Sequence, residues 1–200
     1  MGKKGMLIVL SGPSGAGKGT VCSRLLEKNP NIALSISYTT RTPRPGEKDG
    51  VNYFFTDKET FEEMIKEGCF LEWANVYNNY YGTPRKFVEE RINNGQDVIL
   101  EIDIQGAKQI RQTWEDAVFI FILPPDLEEL KRRIEKRGSE TEESMRLRLM
   151  CALEELKALS SYDYVIVNDD LEKAVEKLQA IIIAEKCRVY RNPDIIEKMH

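Results

Sequence analysis

The chain has 200 residues, 42% of them hydrophobic and 31% charged, which is typical of one globular domain with a sizeable core. Its net charge of −4 argues against a general nucleic-acid binder, and no apolar run approaches the length that spans a membrane. Four scattered cysteines without a CxxC pair favour reduced thiols and a cytoplasmic location. The only histidine is His200, which excludes histidine-based triads and histidine–metal sites.

The start of the chain is predicted to form a strand, a glycine-rich turn and a helix. Residues 6–10 are an apolar run typical of a buried strand, and Leu25 and Leu26 lie on the apolar side of the helix. The turn between them, at residues 11–20, contains Lys18. Glycines let several backbone N–H groups point at one anion, and the helix N-terminus and the lysine add positive charge. The turn is therefore predicted to bind the phosphates of a nucleotide.

The spacing of this turn fits the Walker A pattern, with one departure. Gly12, Gly17 and Lys18 occupy the expected positions, but Gly19 follows the lysine and the hydroxyl comes later, at Thr20. A glycine-rich turn without a ligand is the alternative, which the strand, the spacing and the lysine together disfavour. The residues predicted to contact nucleotide phosphates are Gly12, Pro13, Ser14, Gly15, Ala16, Gly17, Lys18, Gly19 and Thr20.

Residues 33–83 are predicted to form a small mixed β insertion in an otherwise α/β chain. Short alternating or aromatic stretches predict its strands, and a helix capped by Asp57 ends near Gly68. The stretch at residues 39–50 is basic and contains several prolines and glycines, so it must be a loop. The predicted strands of the insertion cover residues 32–38, 51–56, 70–77 and 80–83.

Helices and strands alternate after Pro84. The run at residues 117–123 is continuously apolar, which is typical of a strand covered on both faces in a parallel sheet. The alternation predicts an α/β fold with a doubly wound parallel sheet and right-handed crossovers. For residues 191–200, a helix and a self-association surface are both left open. Helices are predicted around residues 87–92, 104–114, 126–136, 142–159 and 171–182, and strands at 98–103, 117–123 and 164–167.

The loop at residues 39–50 carries Arg41 and Arg44, which could hold a phosphate group. Guanidinium groups bind phosphate through paired hydrogen bonds, and a loop stiffened by prolines costs less entropy to order. Tyr53 and Tyr81 could add hydroxyl donors. The alternative is a solvated basic loop, which the neighbouring nucleotide-binding turn makes less favourable.

Glu72 lies in a predicted strand and could recognise a guanine base. A carboxylate has two acceptors that match the N1–H and 2-amino donors of guanine, whereas adenine offers no such pair. The hydroxyl of Ser37 or of Thr83 could donate to guanine O6. The alternative is an exposed glutamate on a strand face.

Glu101 and Asp103 end the predicted strand at residues 98–103. Ligands of open α/β sheets lie beyond the carboxyl ends of the strands, and an acid at that place commonly serves Mg²⁺ directly or through water. A helix cap is the alternative for Asp103, and the two roles are compatible.

Residues 126–148 contain as many acids as bases and are predicted to form two helices. A solvated, salt-bridged hairpin is one interpretation. The other is a closing lid whose arginines reach the transferring phosphoryl group. Spacing alone does not decide which arginines point inward.

Eight stretches, in order and over nearly the whole chain, resemble the guanylate kinases, which convert GMP to GDP with ATP. The resemblance implies a core, a GMP-binding insertion and a mobile lid, with Mg²⁺ bound through the ATP phosphates. Gly19 after the lysine is ordinary in this family, whereas Glu101 stands where an aspartate is also expected. The matching stretches are residues 12–20, 37–46, 50–54, 70–74, 79–82, 101–106, 137–144 and 167–170.

The resemblance also implies roles for single residues. Ser37, Glu72, Thr83 and Asp103 resemble the guanine contacts, with Glu101 beside them. Arg41, Arg44, Tyr53 and Tyr81 resemble the cradle of the GMP phosphate. Lys18 belongs with the ATP phosphates, and Arg41, Arg137 and Arg148 with the charge of the group in transfer. Arg133 and Arg137 match lid positions on the ATP side, and Asn168 a position near the adenine. The direct Mg²⁺ ligand stays open, with Thr20 or Glu101 acting through water as candidates.

The resemblance divides the chain into three parts and suggests its partners. The expected three-layer αβα core comprises residues 1–32, 84–125 and 162–200, the insertion residues 33–83 and the lid residues 126–161. ATP and GMP are the expected substrates, with dGMP as a further acceptor, and neither nucleic acid nor membrane is expected. We expect a monomer or a weak homo-oligomer. A protein-binding scaffold of the same fold and another monophosphate kinase are the alternatives.

Overall fold

The computed structural model describes residues 4–76, 78–135 and 142–197, without the side chains of residues 142–144, 147, 148, 196 and 197. Its strands are β1 Leu7–Ser11, β2 Ala33–Leu34, β3 Tyr38–Thr39, β4 Phe54–Phe55, β5 Phe70–Val76, β6 Asn79–Pro84, β7 Val98–Glu101, β8 Val118–Leu123 and β9 Tyr164–Val167. Its helices are α1 Lys18–Lys28, α2 Lys58–Lys66, α3 Arg85–Asn93, α4 Ile104–Thr113, α5 Leu127–Glu135, α6 Glu142–Leu156, α7 Leu171–Lys186 and α8 Asp194–Glu197. Short 3₁₀ helices lie at Leu159–Ser161 and Val189–Arg191.

A five-stranded sheet in the order β2-β7-β1-β8-β9 forms the centre of the fold, and its paired strands all run parallel. Alternate residues of β1 point to opposite faces, as strand geometry requires. Ile8 and Leu10 join a buried cluster with α1 and α7, whereas Leu7 and Val9 join a second cluster with α3 and α4. The predicted α/β fold with a parallel sheet covered on both faces is confirmed.

The parallel register brings the carboxyl ends of the central strands to one edge. Leu10 lies opposite Glu101, and Ser11 lies opposite Phe121. The chain turns from Ser11 directly into the glycine-rich loop, while Glu101 ends β7 beside it. This edge is where open α/β sheets bind ligands.

A second, four-stranded sheet has the order β4-β3-β6-β5 and is mixed. Aromatic rings fill the space between it and α2, with Phe61 stacked on Phe70 at 4.4 Å between ring centroids. A Cβ on Gly82 would come within 2.9 Å of both rings, so the strand needs glycine there. On the outer edge of the sheet, Gln109 of α4 accepts from the N–H of Trp73 at 3.3 Å and donates to its carbonyl at 2.6 Å.

Two predicted strands are shorter than expected. The predicted strand at residues 32–38 is two strands, because β2 pairs with β7 in the central sheet while β3 joins the second sheet. The chain crosses between the sheets after Ser35, whose N–H still bonds to the carbonyl of Ile99 at 3.0 Å. The predicted strand at residues 51–56 keeps only Phe54–Phe55, since the N–H of Gly50 turns back onto the carbonyl of Tyr53.

The helical segment after β8 is a hairpin of α5 and α6. Leu130 and Ile134 of α5 are buried against Ala152 of α6. The predicted helix at residues 142–159 ends at Leu156, and the predicted break at residues 138–141 lies outside the described residues. Among the described helices, none is both long enough and apolar enough to cross a membrane.

Candidate active site

The glycine-rich loop is shaped by backbone conformations that only glycine adopts without strain. Gly12 has a φ of 139°, and a Cβ there would collide with the main-chain carbonyl of Ile122 on β8. Gly17, at the N-cap of α1, has a φ of 90°. The N-cap has no side chain, and the first turn of α1 contains no acid, so its N–H groups and dipole favour an anion.

Lys18 lies against this loop. Its Nζ donates to the carbonyls of Gly12 at 2.5 Å and of Pro13 at 3.2 Å. The ammonium group is therefore held beside the N–H groups that converge on the loop. This arrangement concentrates positive charge at the place predicted to bind phosphates.

Arg133 of α5 and Asn168 after β9 both contact the loop from the side. Arg133 donates to the carbonyls of Ala16 at 3.2 Å and of Asn168 at 2.9 Å, and Glu129 holds its Nε at 2.6 Å. The amide of Asn168 donates to the same Ala16 carbonyl at 2.9 Å and lies against Gly17. Both predicted residues therefore lie next to the phosphate loop.

Glu101 lies beside the glycine-rich loop, and its charge also acts on Tyr53 of the insertion. A Cβ on Gly19 would lie 3.3 Å from a carboxylate oxygen of Glu101, so glycine at this position lets the acid come close. Burial, followed by the negative charge of Glu101, raises the pKa of Cys22 to about 12 and that of Tyr53 to about 12. The charge of Glu101 thus acts on both the helix after the loop and the insertion.

Glu72 is the most unusual acid of the site because it is buried, with 4% of its surface exposed. Thr83 donates its hydroxyl to the carboxyl group at 2.5 Å, and a Cβ on Gly106 would collide with the other oxygen. Burial, with a contribution from the charge of Asp103, raises the pKa of Glu72 to about 7. The alternative of an exposed strand glutamate is wrong. Ser37 is buried as well.

Asp103 has the helix-capping geometry that the sequence left open. Its carboxylate accepts from the N–H groups of Gln105 at 2.7 Å and Gly106 at 2.9 Å at the start of α4. The cap fixes the carboxylate close to Glu72, whose pKa it raises. Asp103 is therefore a helix cap, and its predicted role in the site stays a prediction.

Arg41 is a largely buried cation on the loop between β3 and β4, with 12% of its side chain exposed. It donates to the carbonyl of Thr42 at 2.7 Å and to both oxygens of Glu47 at 2.8 and 2.9 Å. Its guanidinium lies 5.4 Å from the ring centroid of Tyr53, and the Tyr53 and Tyr81 rings are 5.9 Å apart. The interpretation as a solvated loop is therefore wrong for Arg41.

Arg44 differs from Arg41, since its side chain is exposed. Its backbone N–H donates to Glu47 at 2.7 Å. The sequence interpretation missed Glu47, although an acid three residues after Arg44 and six after Arg41 is a signal for an ion pair within the loop.

The arginines of the predicted lid fall into three groups. Arg132 pairs with Glu129 at the surface, as the salt-bridged hairpin predicts, whereas Arg133 faces the phosphate loop. Arg146 is exposed. Arg137 lies outside the described residues, and so does the side chain of Arg148.

Glu155 of α6 was also missed, because nothing in the sequence separates it from the other acids of the helix. Its carboxyl group is half-buried, and burial raises its pKa to about 7 although the charge of Lys18 acts in the opposite direction. Across the described ranges, no three His, Cys, Asp or Glu side chains are grouped to hold a metal ion.

Comparison with known proteins identifies the family. A family model described as guanylate kinase matches residues 4–185. The guanylate kinase of Caldanaerobacter subterraneus subsp. tengcongensis is 58% identical over 98% of this chain and 96% of its own length. That of Clostridioides difficile is 56% identical over 97% of this chain and 95% of its own.

A solved structure agrees with the sequence relatives. The crystal structure of guanylate kinase from Anaplasma phagocytophilum has a TM-score of 0.81 at 38% identity and covers 96% of this chain and 91% of that chain. These relatives in both comparisons are guanylate kinases. This chain belongs to the guanylate kinase family.

Proposed function

We propose that the chain transfers the γ-phosphoryl group of ATP to GMP and dGMP, giving ADP and the nucleoside diphosphate. The observation that carries the choice of acceptor is the buried carboxyl group of Glu72, which hydrogen-bonds to Thr83. Burying a carboxylate costs free energy, which a ligand with matching donors offsets. Guanine offers the matching pair of donors, and adenine does not.

The acceptor nucleotide binds between the insertion and the carboxyl edge of the central sheet. Glu72 accepts from guanine N1–H and the 2-amino group. The hydroxyl of Ser37 donates to guanine O6, whereas the single O–H of Thr83 is donated to Glu72 and holds that carboxyl group in place. Asp103 lies close enough to act on Glu72 electrostatically and completes this end of the site. Because dGMP has the same base edge and phosphate, the same residues serve it.

The phosphate of GMP is held by cations and hydroxyls of the insertion. Arg41, Tyr53 and Tyr81 already lie together, and Arg44 reaches the phosphate from the exposed side of the loop. Two guanidinium groups neutralise a dianion and orient it through paired hydrogen bonds. Arg41 thereby also faces the phosphoryl group in transfer.

ATP, the phosphoryl donor, binds with its phosphates in the loop at residues 12–20. Lys18 and the N-terminus of α1 stabilise the charge that moves between the phosphates. Arg133 and Asn168 contact the loop from the adenine side. We assign Arg137 and Arg148 to the phosphoryl group in transfer, when residues 126–161 close over the core as a lid.

Guanylate kinases use ATP, and ATP-using kinases generally need a divalent metal; we infer Mg²⁺. Hard cations prefer oxygen ligands and keep several waters. The carboxylate of Glu101 beside Gly19 and the exposed hydroxyl of Thr20 fit a site that is completed by ATP phosphates and water. Mg²⁺ supplies charge neutralisation on the β- and γ-phosphates when it is bound. A cytoplasmic location and a monomer or weak homo-oligomer stay predictions.

The division into parts follows the same proposal. Residues 33–83 carry the acceptor site, residues 126–161 the lid, and the remainder the core. The first two residues of the acceptor segment, in β2, pair within the central sheet. The acceptor segment is therefore held to the core by hydrogen bonds between β2 and β7 as well as by the covalent connection.

The test is a panel of acceptors with ATP as donor. ADP release would be followed by a coupled assay with GMP, dGMP, AMP, dTMP and UMP. We expect turnover with GMP and dGMP and little with the others, because only guanine pairs with a carboxylate at Glu72. Equal rates with GMP and AMP would overturn the guanine assignment, and failure to bind ATP by calorimetry would favour a scaffold.

A further inference from the structure

Glu47 connects the two arginines of the insertion loop. Its carboxylate accepts from Nη2 of Arg41 at 2.8 and 2.9 Å and from the backbone N–H of Arg44 at 2.7 Å. Its own N–H donates to the carbonyl of Arg44 at 3.0 Å, which closes a turn. Side chain and backbone of one residue therefore fix both arginine positions relative to each other.

The pair of Arg41 and Glu47 is sheltered from solvent, with 12% and 17% of the side chains exposed. Burial alone would raise the pKa of Glu47, but hydrogen bonds from Arg41 and from the Arg44 backbone outweigh it and lower the pKa. Glu47 is thus a carboxylate whose charge is matched to Arg41. Removing that charge leaves a largely buried guanidinium without its counter-ion.

The bonds to Thr42 and Glu47 also orient the guanidinium plane. One bond comes from Nη1 and the others from Nη2, and Tyr53 lies 5.4 Å from the guanidinium carbon. A guanidinium has five N–H donors in a rigid fork, so it can keep these partners and still donate to a phosphate. An oriented fork loses less entropy when the phosphate arrives.

We propose that Glu47 is a positioning residue that holds Arg41 and the Arg44 backbone in the geometry that receives the GMP phosphate. The proposal rests on the proposed function. The competing role for a carboxylate beside Arg41 is that of a stand-in for the phosphate, which leaves when GMP binds. The two roles predict opposite effects on GMP binding when the charge of Glu47 is removed.

The experiment measures steady-state kinetics of Glu47→Gln, which keeps the shape of the side chain and removes its charge. We expect the KM for GMP to rise about tenfold, as for the loss of a charge-assisted hydrogen bond, with an unchanged KM for ATP. Glu47→Asp, which keeps the charge, should recover part of the affinity. Glu62→Gln is the matched control, because Glu62 is an acid of the same segment whose nearest cation, Lys58, is 3.6 Å away at the surface.

Guanosine separates positioning from a general effect on the fold. It has the base but no phosphate, so its inhibition constant should be the same for the wild type and Glu47→Gln. In an Arg41→Met background, Glu47→Gln should have a clearly smaller effect on the KM for GMP, since only the bond of Glu47 to the Arg44 backbone is then left to weaken.

Three outcomes would overturn the positioning role. A lower KM for GMP in Glu47→Gln would assign Glu47 as a stand-in for the phosphate. An equal weakening of guanosine and GMP would indicate a structural role only, and an unchanged KM would leave Glu47 without a role in binding. Wild-type protein that does not prefer GMP would instead refute the proposed function, independently of Glu47.

Discussion

At the scale of single residues, Glu72 combines two properties that oppose each other. Its burial favours the protonated form, with a pKa of about 7, whereas the guanine recognition that we propose needs the carboxylate with two acceptors. In the absence of ligand, the folded state binds a proton that the unfolded state, with its ordinary pKa of 4.5, has released. Folding stability from this group is therefore present at low pH and is lost as the pH rises from about 4.5 to about 7.

The same titration predicts the pH dependence of GMP binding. Above pH 7 the carboxylate is present and the KM for GMP should be low; below pH 7 it should rise, approaching about tenfold per pH unit. Glu72→Gln should weaken GMP binding by about 1–3 kcal/mol, because an amide offers only one acceptor. It should also remove the part of the pH dependence that comes from Glu72, because an amide does not titrate. KM values for GMP between pH 6 and 8.5 measure both effects.

The KM for ATP is the internal control for these measurements, because Glu72 does not contact the phosphate loop in our proposal. The GMP phosphate itself titrates near pH 6, and the Glu72→Gln variant retains that contribution. A parallel pH dependence in wild type and variant would assign the titration to the nucleotide and contradict the role of Glu72.

Lys18 is a residue whose removal should affect the rate rather than the fold. Its Nζ is held by the carbonyls of Gly12 and Pro13, beside the N–H groups of the loop. Lys18→Ala should lower kcat at least about 100-fold, because a preorganised positive charge on the transferring group is lost. Lys28→Ala is the matched control on the same helix, since Lys28 pairs only with exposed Glu172 in the described contacts. Normal turnover of Lys18→Ala would exclude Lys18 from the mechanism.

At the scale of elements, the phosphate loop depends on how closely it approaches β8. Gly12→Ala would place a Cβ on the Ile122 carbonyl, in addition to straining a φ of 139°. Gly68→Ala isolates the conformational cost, because Gly68 has a φ of 68° and open space around the added Cβ. We expect Gly68→Ala to cost about 1–2 kcal/mol of unfolding free energy and Gly12→Ala about 2 kcal/mol more.

Urea unfolding of both variants measures this difference. A Gly12→Ala protein that does not fold agrees with the expectation, whereas equal unfolding free energies would contradict a backbone collision. Loss of ATP binding at nearly normal stability would place the effect of Gly12 on the ligand rather than on the packing of β1 against β8.

The elements also explain which predictions from the sequence failed. The alternation at residues 32–38 continues without interruption through the crossing from one sheet to the other, so the sequence contains no signal that β2 and β3 are separate. The burial of Glu72 has a similar cause. A glutamate beside Trp73 looks exposed, and only the packing of Gly106 and Thr83 against its carboxyl group makes it internal.

At the scale of the whole molecule, the fold was predictable because its strongest signals are local. The apolar runs of β1 and β8, and the glycines and lysine between β1 and α1, specify a parallel sheet with a phosphate loop. Contacts between distant segments, such as Arg133 and Asn168 meeting on Ala16, were not predictable from spacing, and only the family resemblance suggested that both residues lie on the ATP side. These contacts depend on tertiary packing, which spacing along the chain does not encode.

The contact between Gln109 and Trp73 has a consequence for how the protein behaves in concentrated solution. β5 is an edge strand of its sheet, and an edge with unpaired peptide groups can add a strand from another molecule. Gln109 engages both the N–H and the carbonyl of Trp73, as a neighbouring strand would. Helix α4, which is capped by Asp103, thereby protects this position of the second sheet against sheet-like aggregation.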